Sequence, residues 1–461
     1  METRPTSSLA QSLVIAPFDV YRNESHSTPH CSLAQGTEAV KRLLCMLFTI
    51  VAVSAHVLHA SEFVLIDSAA NINVSEFEKS ETDFPQLRTG PWRVEKQLLH
   101  GGKQEGTELI VVSNGKLRFG VSPTRGLSVV FLEQVANAKF PVGWKSPVTE
   151  IVHPQFIDLE SRSGLGWLDG FNEWMCRCGL EFAGHPGKDT FTTNTGEKGE
   201  LTLTLHGKIG NTPASRVVFS VDDAPPHRIR IKGTAFERSF HGPNLKLEAE
   251  VSTVPGTESI EIHDRVTNLG GSPQEFQLIY HTNYGPPILE KGSRIVSAIE
   301  SLEPMNDRAA EGVDRWNTCE GPTPGFVEQV YLAHAAGDAD GSTSVMIENA
   351  SGSRGASVSW NINQLPYLTV WKNTASQAEG YVTGLEPGTG FPFNRWVERH
   401  FGRVPTLKPG ESREFSLSFS VHPDKASVQK MRQRIEAIQQ RTPASISTTA
   451  PKIPEFDANA D

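Results

Sequence analysis

Between Glu108 and His422 the chain is a succession of short strand-like runs broken by Gly, Pro, Asn or Asp, with no helical pattern of crossover length between them. Parallel pairing needs such crossovers, so the runs point to antiparallel sheets. One group falls at 108–113, 117–121, 127–132, 201–206, 216–221, 227–235, 244–254, 259–268 and 274–281. A second follows a loop-rich middle, at 327–332, 343–348, 356–361, 367–372, 379–385 and 413–422. Several alternate strictly: Leu245, Leu247, Ala249 and Val251 are interleaved with Lys246, Glu248 and Glu250, which gives a strand one buried and one wet face. Strands of this number and length predict an all-β chain, a large antiparallel β-sandwich of two sheets. One helix is expected, over 424–440, with Asp424 as N-cap and Val428, Met431, Ile435 and Ile438 at helical spacing.

The domain organisation expected is a lead-in over 61–92, a sandwich over 93–422, the helix within 423–441 and a disordered tail over 442–461, where Pro, Ala, Ser and Thr have little to bury. Residues 1–60 read as an N-terminal extension and export signal. Lys41 and Arg42 precede an apolar run over 43–53 that is short for a membrane span, and Ala55 and Ala60 close small-residue cleavage sites. The polar stretch 1–40 is long for such a signal, so translation is expected to begin near Val40. The mature chain would start near His56 or Ser61 and be exported, periplasmic or extracellular, with no stable membrane insertion after cleavage.

A formal charge of −10 excludes nucleic acid as a partner, since phosphate binding needs clustered Lys and Arg. Five cysteines at irregular spacing make no disulfide framework, and neither Cys-x-x-Cys nor His-Glu-x-x-His occurs. Cys176 and Cys178 read as buried thiols on one strand face. No metal is implied.

Two side chains stand out. Glu386 closes a strand-like run just before the Gly- and Pro-rich turn 387–393, and His281 closes another before Gly285, Pro286 and Pro287. Groups at strand ends before rigid loops are held over clefts, and a carboxylate with an imidazole can move two protons near neutral pH. His153, His185, His241 and His263 are scattered singly and read as non-functional.

Gly384-Leu385-Glu386 with Phe391-Pro392-Phe393-Asn394 resembles the C-terminal signature of the aldose 1-epimerases, or galactose mutarotases. Tyr280-His281-Thr282-Asn283-Tyr284 is similar to the histidine strand of that superfamily, and Leu205-His206-Gly207 to its substrate-binding turn. The stretch 365–372, which includes Trp371, is also typical. Thr124-Arg125-Gly126-Leu127 and Cys178-Gly179-Leu180 match more closely the uncharacterised mutarotase-like branch of DUF4432 type. The resemblance covers about Arg93 to His422. The segment 167–175, with Trp167, Asp169, Glu173 and Trp174, departs from that branch and is expected to shape a different pocket.

The resemblance implies a galactose mutarotase-like sandwich that interconverts the anomers of a sugar or oligosaccharide without a cofactor. Glu386 would be the base and His281 the acid, with His281 charged while Glu386 is ionised. His206, Arg125 and Asn283 would hold sugar oxygens, and Trp371, Trp167 or Trp174 would stack on the sugar. Two alternatives stay open: a non-catalytic carbohydrate-binding protein, and a glycan hydrolase or lyase whose second carboxylate is Asp169, Glu173 or Glu181. A sugar-phosphate epimerase is disfavoured, since no phosphate-binding cluster is visible. The sugar and the oligomeric state are not legible.

Overall fold

The structure is a computed structural model that describes residues 61–135 and 140–458; the proposed export segment lies outside the described residues. Two large sheets, one of ten strands and one of thirteen, carry the chain. Nearly every pairing is antiparallel, as the absence of crossover helices requires. In the ten-stranded sheet Asn244–Thr253 lies between Ile229–Arg238 and Ser259–Asn268, and its Leu245, Leu247, Ala249 and Val251 are buried. They join one apolar cluster with Val112, Phe119, Leu278 and Tyr280 of the other sheet, so the core lies between the two.

A buried ion pair spans that core. Arg177, on Met175–Leu180 of the thirteen-stranded sheet, donates through Nε and Nη2 to both carboxylate oxygens of Asp264 on the opposite sheet, at 2.5 and 2.9 Å. The Tyr280 hydroxyl donates to the same carboxylate at 2.9 Å. With Arg177 turned inward, strand alternation turns Cys176 and Cys178 to the outer face of the sheet. That outer face carries the site.

The helix forms as Lys425–Gln439, with Asp424 accepting from the Ser427 amide at 2.8 Å. Its Val428, Ile435 and Ile438 cover Ala298, Ala336 and Met346. Two expectations need correction. The stretch 61–92 is no mere lead-in: Ser61–Asp67 pairs with Arg216–Val221, Phe77–Ser80 pairs with Arg93–Leu98, and Phe63, Phe77 and Trp92 gather around Phe219. Its aromatics find partners far along the chain, which local patterning does not show. The tail beyond Thr442 also has something to bury, since Ser445–Ile446 adds a short parallel strand to Ile299–Pro304 and Phe456 packs on Trp396 at 5.5 Å between ring centroids. Met175–Leu180 is a strand, with Cys176 and Cys178 buried on one face as the sequence suggests, though alternation does not mark it because all six of its residues are buried.

Among the described residues no helix is long and apolar enough to cross a membrane.

Candidate active site

Register brings the site together. Gln277–Tyr284 and Val382–Gly388 are adjacent antiparallel strands in which Thr282 faces Leu385 and Asn283 faces Gly384; one residue back, the same register sets His281 opposite Glu386. Opposed residues of an antiparallel pair point to the same face. Neither residue ends its strand, as the sequence suggested; three residues follow His281 and two follow Glu386 before the strands finish. On the far sides, Cys176 lies opposite His281 and Thr369 opposite Glu386. Cys176, His281, Glu386 and Thr369 therefore form one row across four strands.

His281 Nε2 is 3.2 Å from Glu386 Oε1, and both residues are almost wholly buried. Gly384, two residues before Glu386 on the same face, leaves the space they occupy: a Cβ there would sit 2.5 Å from Glu386 Oε1 and 3.2 Å from the Trp371 ring. Trp371, opposite Gly384, has its ring centroid 5.4 Å from that of His281.

His206 arrives from the turn Leu205-His206-Gly207. It adopts a left-handed φ of 59°, its Nδ1 is 3.0 Å from the Ala183 carbonyl oxygen, and its ring is 5.4 Å from His281. Gly207 must remain a glycine, because at φ 73° its Cβ would lie 2.1 Å from the Phe182 oxygen.

These groups open into a cavity of about 420 Å³ lined by Trp167, Phe171, His185, Leu205, Glu328, Val330 and Thr369 together with His206, His281, Trp371 and Glu386. Its size and its mix of aromatic walls with a few convergent polar groups are those of a small-molecule site.

Charge in this row is set by burial. Loss of water pushes the Glu386 carboxyl well above the ordinary carboxylate range, against the pull of His206. Burial, with the charge of His206 beside it, holds the His281 imidazole well below its usual value. Both shifts run against the carboxylate and imidazolium forms that the resemblance implies. His206 itself is lowered by burial, but the negative charge and hydrogen bond of Cys178 as thiolate, then the Ala183 carbonyl and the Glu386 charge, outweigh this and carry it up to about 9. His185 is held down to about 4 by burial and by His206.

Two expected substrate contacts are structural. Arg125 is buried and wholly engaged, donating to Glu173 Oε1 at 2.6 Å and to the carbonyls of Val152, Gly170 and Gly210. It braces the loop that delivers Phe171 to the cavity. Asn283 donates through Nδ2 to the Glu173 carbonyl at 3.0 Å and does not line the cavity. Trp174 sits in the core against Phe419, whereas Trp167 does line the site. Asp169 pairs with Arg162, Glu173 with Arg125, and Glu181 with Arg395 and Lys208, so none of the three supplies a second carboxylate in the cavity.

Sequence reasoning missed Phe171, Thr369, Glu328 and His185. In sequence His185 reads as a lone histidine, yet its amide donates to the Pro392 carbonyl at 2.9 Å, so the loop after the Glu386 strand draws it into the wall. Thr369 was legible only through its register with Glu386. Among the described residues no group of three or more His, Cys, Asp or Glu is spaced to hold a metal ion.

Outward-facing side chains over one sheet of a two-sheet antiparallel sandwich define a galactose mutarotase-like protein, with a paired acid and imidazole in its cavity. The chain belongs to the family described as domain of unknown function DUF4432, whose model matches residues 104–421. It is similar to the crystal structure of a putative aldose 1-epimerase from Klebsiella pneumoniae, at 39% identity and TM-score 0.80, covering 86% of this chain and 100% of that one. A galactose mutarotase-like protein from Clostridium acetobutylicum aligns at 15% identity and TM-score 0.48, over 76% of this chain and 99% of that one. No curated protein matches the chain.

Proposed function

We propose that the protein interconverts the anomers of a free sugar, and that the His281–Glu386 pair does the chemistry. The 3.2 Å approach of an imidazole nitrogen to a carboxyl oxygen on the floor of an aromatic cavity carries this reading. The likeness to a putative aldose 1-epimerase supports it.

Ring opening takes one proton from the C1 hydroxyl and gives one to the ring oxygen, and closure on the other carbonyl face reverses both transfers. The catalyst must begin and end with a single proton shared between two groups. Burial favours the form with that proton on Glu386 and His281 neutral. In that state His281 takes the hydroxyl proton while Glu386 donates to the ring oxygen, and the roles exchange on closure; this opening order is the reverse of the one the resemblance implies. Among the described residues Nδ1 of His281 and Oδ1 of Asn283 have no other partner, and an Nδ1–H aimed at that oxygen would leave the Nε2 lone pair facing Glu386. Each group contributes about 10²–10⁴-fold to rate. His185 offers hydrogen bonds to hydroxyls, and Trp167, Phe171 and Trp371 offer apolar faces to the sugar ring, while His206 is held by Cys178 and the Ala183 carbonyl. We place this activity outside the cytoplasm on the strength of the 41–60 segment alone.

Polarimetry of freshly dissolved α-glucose and α-galactose tests the activity. Faster decay of rotation with added protein is expected, and no acceleration with any common aldose contradicts it.

A further inference from the structure

The cavity wall holds one carboxylate that the proton relay does not use. Glu328 precedes the strand Gln329–Ala335, is exposed, and contributes to the lining. Trp371 Nε1 donates to its Oε2 at 2.7 Å, which fixes the carboxylate against the aromatic wall and leaves Oε1 for another donor. Among the described residues no Lys or Arg belongs to the lining. His206, beside the reacting pair, is engaged with Cys178 and the Ala183 carbonyl. A negative group is therefore held in place at the side of the cavity, with no Lys or Arg ion pair among the described residues.

We infer that Glu328 is a specificity residue and that the preferred substrate class is a cationic amino sugar, whose ammonium pairs with Glu328 while its anomeric centre lies at His281 and Glu386. The same charge disfavours uronic acids and sugar phosphates, for which the lining has no guanidinium or ammonium. Orientation of the carboxylate by Trp371 before the sugar arrives reduces the ordering cost that makes most exposed ion pairs weak. A charge-assisted hydrogen bond in this setting raises kcat/KM about tenfold over an uncharged isostere.

This inference rests on the anomerase reading, and the experiment separates the two. Anomer exchange is measured by NMR for glucosamine and for glucose, which differ by ammonium against hydroxyl at one carbon, at a pH that keeps the amine charged. Both are run with the wild type and with Glu328→Gln, in which an oxygen remains to accept from Trp371. Binding of both sugars is followed in parallel by tryptophan fluorescence. The expected result is a roughly tenfold advantage for glucosamine that falls to near one in Glu328→Gln. Turnover of both sugars with equal kcat/KM, or an advantage that survives in Glu328→Gln, overturns the inference and leaves the reaction standing. Absence of turnover for both, with tighter glucosamine binding that depends on Glu328, sinks the reaction and sustains the ammonium site.

Discussion

A Cβ on Gly384 would lie 2.5 Å from Oε1 of Glu386, so the acid of the pair occupies space that only a glycine leaves free. Gly384→Ala should keep the strand, whose backbone there is not left-handed, but push the Glu386 carboxyl away from His281. Displacement of a reacting group by about 1 Å can cost on the order of 10² in rate. We expect kcat for anomer exchange to fall by about that factor, with the circular dichroism spectrum and melting temperature little changed. Undiminished kcat would show that the carboxyl needs no such room.

The pH profile carries the second prediction. Glu386 is held high, so the pair loses its proton only when pH rises through that raised value; His281 is held low, so a second proton is gained only when pH falls through that depressed value. Between those limits the pair holds one proton. Catalysed exchange should therefore be flat as pH crosses the ordinary imidazole value of about 6.5. A pair of carboxylate and unshifted imidazolium would instead lose activity as pH rises through that point, and such a limb would contradict the neutral pair.

Arg125 and Glu173 supply a third. Both side chains are 1% exposed and their contact is 2.6 Å, so Arg125→Met strands a buried carboxylate. Removing one partner of such a pair costs about 3–5 kcal/mol. Urea unfolding should show that loss, while KM measured on the folded fraction stays near the wild-type value. A selective rise in KM with unchanged stability would return Arg125 to the substrate.

Removal of residues 442–461 uncovers Trp396 and takes Ser445–Ile446 from the sheet edge. Partial burial of one aromatic corresponds to about 1–2 kcal/mol, so the truncated protein should melt a few degrees lower. An unchanged melting temperature would mean that the tail adds nothing to the sandwich.

How far the sequence reaches follows from which faces of each strand are wet. Alternation in 244–254 and 259–268 shows directly where those strands lie, because one face meets solvent. Met175–Leu180 is covered on both faces and shows no alternation, although it forms the wall behind His281. Glu386, His281, His206 and Trp371 are legible because short motifs surround them. Arg125 belongs to such a motif as well, yet its guanidinium is consumed by three carbonyls and Glu173, and sequence cannot distinguish a brace from a ligand. Thr369, His185 and Glu328 reach the cavity through cross-strand register or loop contacts that no local pattern encodes.

The most direct test compares anomer exchange by NMR in the wild type, Glu386→Gln, His281→Ala and the double variant, each shown to be folded. If the two groups share one proton in one relay, each single variant loses most of the acceleration and the double variant loses little more than either. Full activity in either single variant, or losses that simply add in the double, would contradict a paired acid and base at this site.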